Sequence, residues 1–302
     1  GTVLWMSTEF VDCGGHAPTL ADLNGDGDVE IIVGSLVLDG ETGAHRFTGG
    51  FGTGGYPAYP AIGQISAVSD LDGDGSQEIL AGNTIYTAGG SERCTRGDSE
   101  GDGFTAAADF DGDGQGEVVI VGNSTATVMD IDCFTVSSWS LMGEGNGGPP
   151  TVADFDADGT PEIGVATATN YTVYEADGTE LWNVPVVDAS SHATGSTVFD
   201  FEGDGRPEVV YGDETHLYIF DGLTGEVRLS DPNHTSRTLH EFPLVVDVDN
   251  DGRPEILVPN GGGHHGSSEV GLYVVGSADD SWLGGRTVWN QHSYNIVNVN
   301  DD

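Results

Sequence analysis

Nine-residue windows with acids at fixed offsets recur six times along the chain. The first reads Asp22-Leu23-Asn24-Gly25-Asp26-Gly27-Asp28-Val29-Glu30. The same register returns as Asp70, Asp72, Asp74, Gly75, Glu78 and as Asp109, Asp111, Asp113, Gly114, Glu117. It returns again as Asp154, Asp156, Asp158, Gly159, Glu162, as Asp200, Glu202, Asp204, Gly205, Glu208, and as Asp247, Asp249, Asp251, Gly252, Glu255. Oxygens at positions 1, 3 and 5 of a tight loop can converge on one point, and glycine at position 6 permits the sharp turn. A backbone carbonyl at position 7 (Asp28, Ser76, Gln115, Thr160, Arg206 and Arg253) and a carboxylate at position 9 complete a shell of hard oxygens. Six or seven such oxygens form a calcium set; magnesium prefers an octahedron that keeps several waters. Zinc is disfavoured because the windows hold no His or Cys. One Asp-Gly-rich loop is an ordinary turn, but six in one register call for a shared ligand. Glu at position 9, with β-type runs on both sides, separates these loops from the helix–loop–helix calcium hand, whose Glu stands at 12. The tail Asn298-Val299-Asn300-Asp301-Asp302 begins a seventh loop, with Asn298, Asn300 and Asp302 as its first ligands. The sequence thus implies about six Ca²⁺ sites, and a seventh if the tail completes its loop.

Such loops need strands to hold them. Their first ligands are 48, 39, 45, 46 and 47 residues apart. A period of 40–50 flanked by β-runs points to propeller blades. In the fourth period, strands are read at 150–153, 162–166, 171–174 and 180–182; in the fifth, at 197–199, 209–211 and 217–220. The run after each loop is apolar throughout, as suits a strand covered on both faces. The third runs alternate more, which predicts half-exposure. Gly1-Thr2-Val3-Leu4-Trp5 matches Gly178-Thr179-Glu180-Leu181-Trp182, so residues 1–6 are expected to form an outer strand closing the last blade. The expectation is an all-β chain, residues 1–302 forming a single seven-bladed β-propeller domain of four-stranded antiparallel blades. The calcium loops join first and second strands, and periods begin near 16, 62, 104, 149, 194, 243 and 285. Two strands of the seventh blade are unaccounted for, which leaves that blade incomplete or the chain part of a longer protein.

The loops resemble the FG-GAP (VCBS-type) repeats of integrin α-subunit propellers and many bacterial secreted surface proteins. The Phe-Gly…Gly-Ala-Pro signature is degraded, its nearest echo being Phe51-Gly52 before Gly55-Tyr56-Pro57. The segment Gly285-Arg286-Thr287-Val288-Trp289-Asn290-Gln291-His292-Ser293-Tyr294 is similar to one that closes propellers in large secreted bacterial proteins. The resemblance implies calcium sites on one face and ligand binding, where present, on the other.

Fifty acidic residues face eight basic ones, all arginine, for a net charge of −42. Phosphate and anionic membrane surfaces would be repelled, which argues against nucleic-acid partners and against membrane-surface binding. No apolar run approaches the ~20 residues of a spanning helix. Disorder is excluded by runs such as Val118-Val119-Ile120-Val121. The six windows hold 24 of the 50 acids, so the remainder still outnumber the arginines and the surface is acidic even outside the loops.

Chemistry beyond calcium is sparse. His264 and His265, with His234, Arg237, His240, Tyr56 and Tyr59, fall in loops opposite the metal loops. Together they are candidates for a sugar- or peptide-binding patch; polar loop decoration is the simpler reading. No nucleophile, phosphate-loop or zinc motif is present, so no catalytic residue is assigned and the chain is read as a non-enzyme. Arg96-Gly97-Asp98 spells the integrin-recognised tripeptide, which also arises by chance. Cys94 and Cys133 each lie 24 residues after the first ligand of their blade. Equivalent positions on neighbouring blades are expected to be too far apart to bridge, so no disulfide is assigned to these or to Cys13. The functional expectation is an extracellular calcium-binding module, secreted or at the cell surface, for adhesion, recognition or surface assembly. Its partner would be a protein or glycan ligand, or further copies of itself, with no membrane insertion. The alternatives are a lyase-like polysaccharide-active enzyme and a lectin.

Overall fold

The computed structural model describes residues 1–9, 15–55, 62–97, 101–237, 241–261 and 271–284. Five sheets of four antiparallel strands follow one another along the chain. Blade 1 comprises Thr19–Ala21, Glu30–Val33, Leu36–Asp39 and His45–Thr48. Blade 2 comprises Ala67–Ser69, Glu78–Ala81, Thr84–Tyr86 and Glu92–Thr95. Blade 3 runs from Phe104–Ala108 through Glu117–Gly122 and Thr125–Met129 to Thr135–Ser140. Blade 4 has Thr151–Ala153, Glu162–Ala166, Asn170–Tyr174 and Glu180–Pro185. Blade 5 has Ser196–Phe199, Glu208–Gly212, Leu217–Phe220 and Val227–Asp231. Blade 6 shows three strands among the described residues, Leu244–Val246, Glu255–Asn260 and Gly271–Val275. First strands of successive blades lie side by side, which places them around a common axis. The architecture is an all-β propeller. The expected seventh period, from 285 onward, lies outside the described residues.

The apolar core is divided among the seams between blades. Between blades 4 and 5, Phe155, Tyr171, Val173 and Trp182 meet Val198, Val209, Tyr211 and Phe220. The Tyr171 ring stands 5.3 Å from Tyr211 and 5.8 Å from Trp182. The other seams repeat this pattern with their own apolar clusters, Trp139 and Tyr174 in one and Phe201 and Trp282 in another. Flat sheets stacked this way bury both faces, which is why second strands such as Glu162–Ala166 are buried along their whole length. Third strands are buried too, contrary to the half-exposure expected; Thr125–Met129 is covered at four of five positions. The alternation belongs to the fourth strands, as in Thr135–Ser140, because only the rim strand lacks a neighbour on its outer side.

A recurring contact locks the rim. An aromatic ring from the fourth strand of one blade covers the glycine in the third-to-fourth turn of the next. Phe47 covers Gly90, Trp139 covers Gly178 and Trp182 covers Gly225. A Cβ at any of these glycines would fall within 2.7 Å of the ring, and their φ values of +69 to +88° favour glycine. The Trp182 indole N–H also donates to Gly222 O. Residues 1–9 form no strand, in contrast to the outer strand expected at 1–6. Trp5 nevertheless takes the corresponding place on blade 1, over Gly43 and donating to Gly40 O at 3.1 Å. The side-chain role survives where the backbone ladder does not.

At the seam of blades 2 and 3 a disulfide replaces ring and glycine: Cys94 is bonded to Cys133 with a Cα–Cα distance of 5.9 Å. This corrects the expectation of unbridgeable cysteines. Their equal offsets do not make them equivalent, because blade 3 has longer strands. Cys94 therefore lies in a fourth strand, while Cys133 falls in the turn at the glycine position, with φ +64°.

A second seam contact is uneven around the ring. The N–H at loop position 8 reaches the preceding blade's loop in two places, Gln77 to Leu23 O at 2.8 Å and Gly116 to Leu71 O at 2.7 Å. In the last three loops that position is Pro161, Pro207 or Pro254, which has no N–H to give.

Candidate metal centres and the opposite face

Every described acidic loop is built the same way. The position-1 aspartate accepts from the position-5 and position-6 N–H groups: in the fourth loop, Asp158 N and Gly159 N reach Asp154 at 3.1 and 3.0 Å. The position-5 aspartate accepts from the position-7 N–H, as Asp158 does from Thr160 at 2.8 Å. The position-9 glutamate opens the second strand and turns back to accept from the position-2 N–H. Backbone donors thus set each carboxylate's direction before any ion arrives.

In five loops these oxygens converge. Asp154, Asp156, Asp158 and Glu162 place ligand atoms within 4.8 Å of one another. So do Asp70, Asp72 and Glu78; Asp109, Asp111 and Glu117; Asp200, Glu202 and Glu208; and Asp247, Asp249 and Asp251. The first loop (Asp22, Asn24, Asp26, Asp28, Glu30) forms no such group of three acids among the described residues. Asp74, Asp113, Asp204 and Glu255 belong to their loops but not to these tightest groups. The seventh-loop candidates Asn298, Asn300 and Asp302 lie outside the described residues.

The clusters fit a hard cation. All the side-chain donors are oxygens, and Glu162 Oε1 is buried with no hydrogen-bond partner. Burial first, then the charges of Asp156, Glu175 and Asp154, push the Glu162 carboxyl up to about 8. Burial and the neighbouring aspartates push Glu117 up to about 7. Glu208 and Glu78 are raised for the same leading reason. Such groups oppose their own ionisation unless positive charge stands beside them.

The ligand patch expected on the opposite face is only partly visible. His234 is described, but it is fully buried against Gly212, so it offers no open binding group. Burial holds its imidazole below the usual value, with Asp213, Glu241 and Asp231 working the other way. Arg237 is exposed, and its carbonyl accepts from Ser190 Oγ at 2.5 Å. Tyr56, Tyr59, His240, His264 and His265 lie outside the described residues. Arg96 is buried, and Asp98 of the integrin-type tripeptide is likewise outside.

Sequence reasoning missed two buried acids here. Asp188 accepts from Ser191 Oγ at 3.0 Å, Thr194 N at 3.1 Å and Tyr211 OH at 3.3 Å. Asp213 accepts from Val187 N at 2.9 Å, Thr215 N at 2.7 Å and His216 N at 2.8 Å. Both pin the connection between blades 4 and 5. The Asp-x-Ser/Thr spacings that signal such turns were present, but the acid-rich composition masked them. At the seam of blades 2 and 3, a recess of about 230 Å³ is lined by Arg96, Asp102, Asn123, Thr125, Thr127 and Ser138.

Residues 154–211, and again 200–258, match the FG-GAP-like repeat family. The chain carries FG-GAP-like repeats. They coincide with blades 4 to 6 and their acidic loops. Bap1, a biofilm matrix protein of V. cholerae, superposes with a TM-score of 0.79 over 98% of this chain and 74% of its own, at 16% identity. A lectin of Agrocybe aegerita that recognises non-reducing terminal N-acetylglucosamine superposes with a TM-score of 0.50, covering 89% of this chain and 83% of its own, also at 16% identity. At that identity the likenesses establish the propeller fold alone. No curated protein sequence matches the chain.

Proposed function

We propose that this FG-GAP-like propeller is an extracellular, calcium-stabilised module for recognition or surface assembly, and that its calcium is structural. The observation that carries the reading is the repetition of one oxygen cage around the ring. A catalytic metal needs one distinctive environment, whereas these cages share one plan. Asp at positions 1, 3 and 5 and Glu at 9 would hold the ion, and Ca²⁺ would supply positive charge that joins first to second strand. The rim disulfide supports an oxidising compartment, and the fold shared with a biofilm matrix protein supports a place outside the cell. No step of covalent chemistry is part of this reading.

Each site filled at 100 times its Kd adds about 2.7 kcal/mol to the folded state. Thermal melting in millimolar calcium and after chelation is therefore expected to differ by well over 10 °C. An unchanged melting curve would defeat the structural-calcium reading. A glycan is the ligand class favoured by the recess at Arg96, whose polar lining is hydroxyl, amide, one guanidinium and the Asp102 carboxylate. Glycan-array binding lost on Ser138→Trp would support it; binding to no glycan, together with filaments under the electron microscope, would favour self-assembly.

A further inference from the structure

The second residue of the fourth strand varies around the ring in a way that follows the loops. It is Arg46 in blade 1, Arg93 in blade 2, Val136 in blade 3, Leu181 in blade 4 and Arg228 in blade 5. The Arg46 guanidinium stands 2.9 Å from Glu30 Oε1 and 3.0 Å from Asp39. Arg93 stands 2.7 Å from Asp72 and 3.8 Å from Glu78 Oε1. Arg228 pairs instead with Asp221, in the third-to-fourth turn. Blades 3 and 4 offer an apolar side chain there.

Glu30 and Glu78 are the position-9 carboxylates. Glu30 is 1% exposed, so its charge needs a local partner, and Arg46 supplies it. The first loop also has Asn24 where four of the others have Asp and one has Glu. It is the loop in which three acids fail to converge among the described residues.

We propose that Arg46 is the resident cation of the first loop and excludes calcium from it, and that Arg93 competes with calcium in the second. The ring then has two kinds of loop. Those of blades 3 to 6 depend on metal, while blade 1 is closed by its own guanidinium. A positive side chain 2.9 Å from a ligand oxygen opposes a divalent ion by repulsion and by standing in the space beside that oxygen.

This inference rests on the calcium reading above, and the test separates the two. Calcium bound per chain is measured by equilibrium dialysis and by elemental analysis of the full chain. The measurement is repeated for Arg46→Gln, Arg46→Lys and Arg93→Gln. Wild type should hold one ion fewer than Arg46→Gln, and Arg46→Lys should match wild type. Arg93→Gln should tighten the weakest of the wild-type sites by tenfold or more. Circular dichroism of Arg46→Gln in calcium verifies its fold; an unfolded variant would show that the added ion does not replace the guanidinium, and so would overturn the proposal. Equal stoichiometry in wild type and a folded Arg46→Gln would overturn the arginine proposal alone. No calcium bound to any variant would overturn both readings.

Discussion

Single side chains give this molecule two opposed pH responses. Glu117 and Glu162, at about 7 and about 8, stand above their usual value of 4.5, so the metal-free native state holds protons that the unfolded chain releases. Stability from that source is fully present below about 4.5 and is lost as pH rises through 7 to 8. His234 runs the other way. Burial lowers it from 6.5, so its contribution is present above about 6.5 and is lost as pH falls through its depressed native value. In saturating calcium, melting temperature should therefore drop on acidification below pH 6.5, and His234→Gln should flatten the drop. The chelated protein should instead gain stability between pH 8 and pH 5. Matching pH profiles in the two conditions would contradict this assignment of charges.

At the scale of strands and turns, the rim contacts set how blades lean on each other. Trp182→Ala removes a buried indole and its hydrogen bond to Gly222, at an expected cost of about 3–5 kcal/mol. Urea unfolding should show it, and a change under 1 kcal/mol would mean the neighbouring turn collapses to fill the gap. The Cys94–Cys133 bridge closes a segment of 39 residues, worth about 4 kcal/mol in the chain-entropy account. Cys94→Ala/Cys133→Ala should lower the melting point under non-reducing conditions and remove its sensitivity to reductant. These rim features also mark where sequence reasoning stopped. The loops, their period and the second strands were legible because spacing and apolar runs are local signals. The disulfide was not, since offset from the loop misleads once strand lengths differ. Burial of the third strands was hidden for a related reason: their cover comes from the next blade, some 45 residues away in sequence. Nothing local in the sequence joins Arg46 to Glu30; the pair is made by the folding of blade 1.

For the whole molecule, a net charge of −42 has to be accommodated by a propeller whose apolar core is divided among seams. Dividing the core into seams makes each of blades 2 to 5 lean on two neighbours, so self-repulsion is resisted locally. Six calcium ions would bring the charge to −30; if Arg46 keeps the first loop free, the figure stays more negative. Raising sodium chloride from 50 mM to 500 mM should stabilise the chelated protein by screening, and should matter much less once calcium is bound. A salt response of equal size in both states would place the repulsion outside the loops.

The prolines at loop position 8 carry one more consequence. Blades 1 to 3 are tied by Gln77, Gly116 and a covalent bridge, and the loops of blades 1 and 2 each hold an arginine of their own blade, whereas blades 4 to 6 have Pro161, Pro207 and Pro254 at the matching places. When calcium is withdrawn, the second half of the wheel should open while the first still holds, leaving a nick-sensitive arc within residues 154–258 beside a protease-resistant fragment.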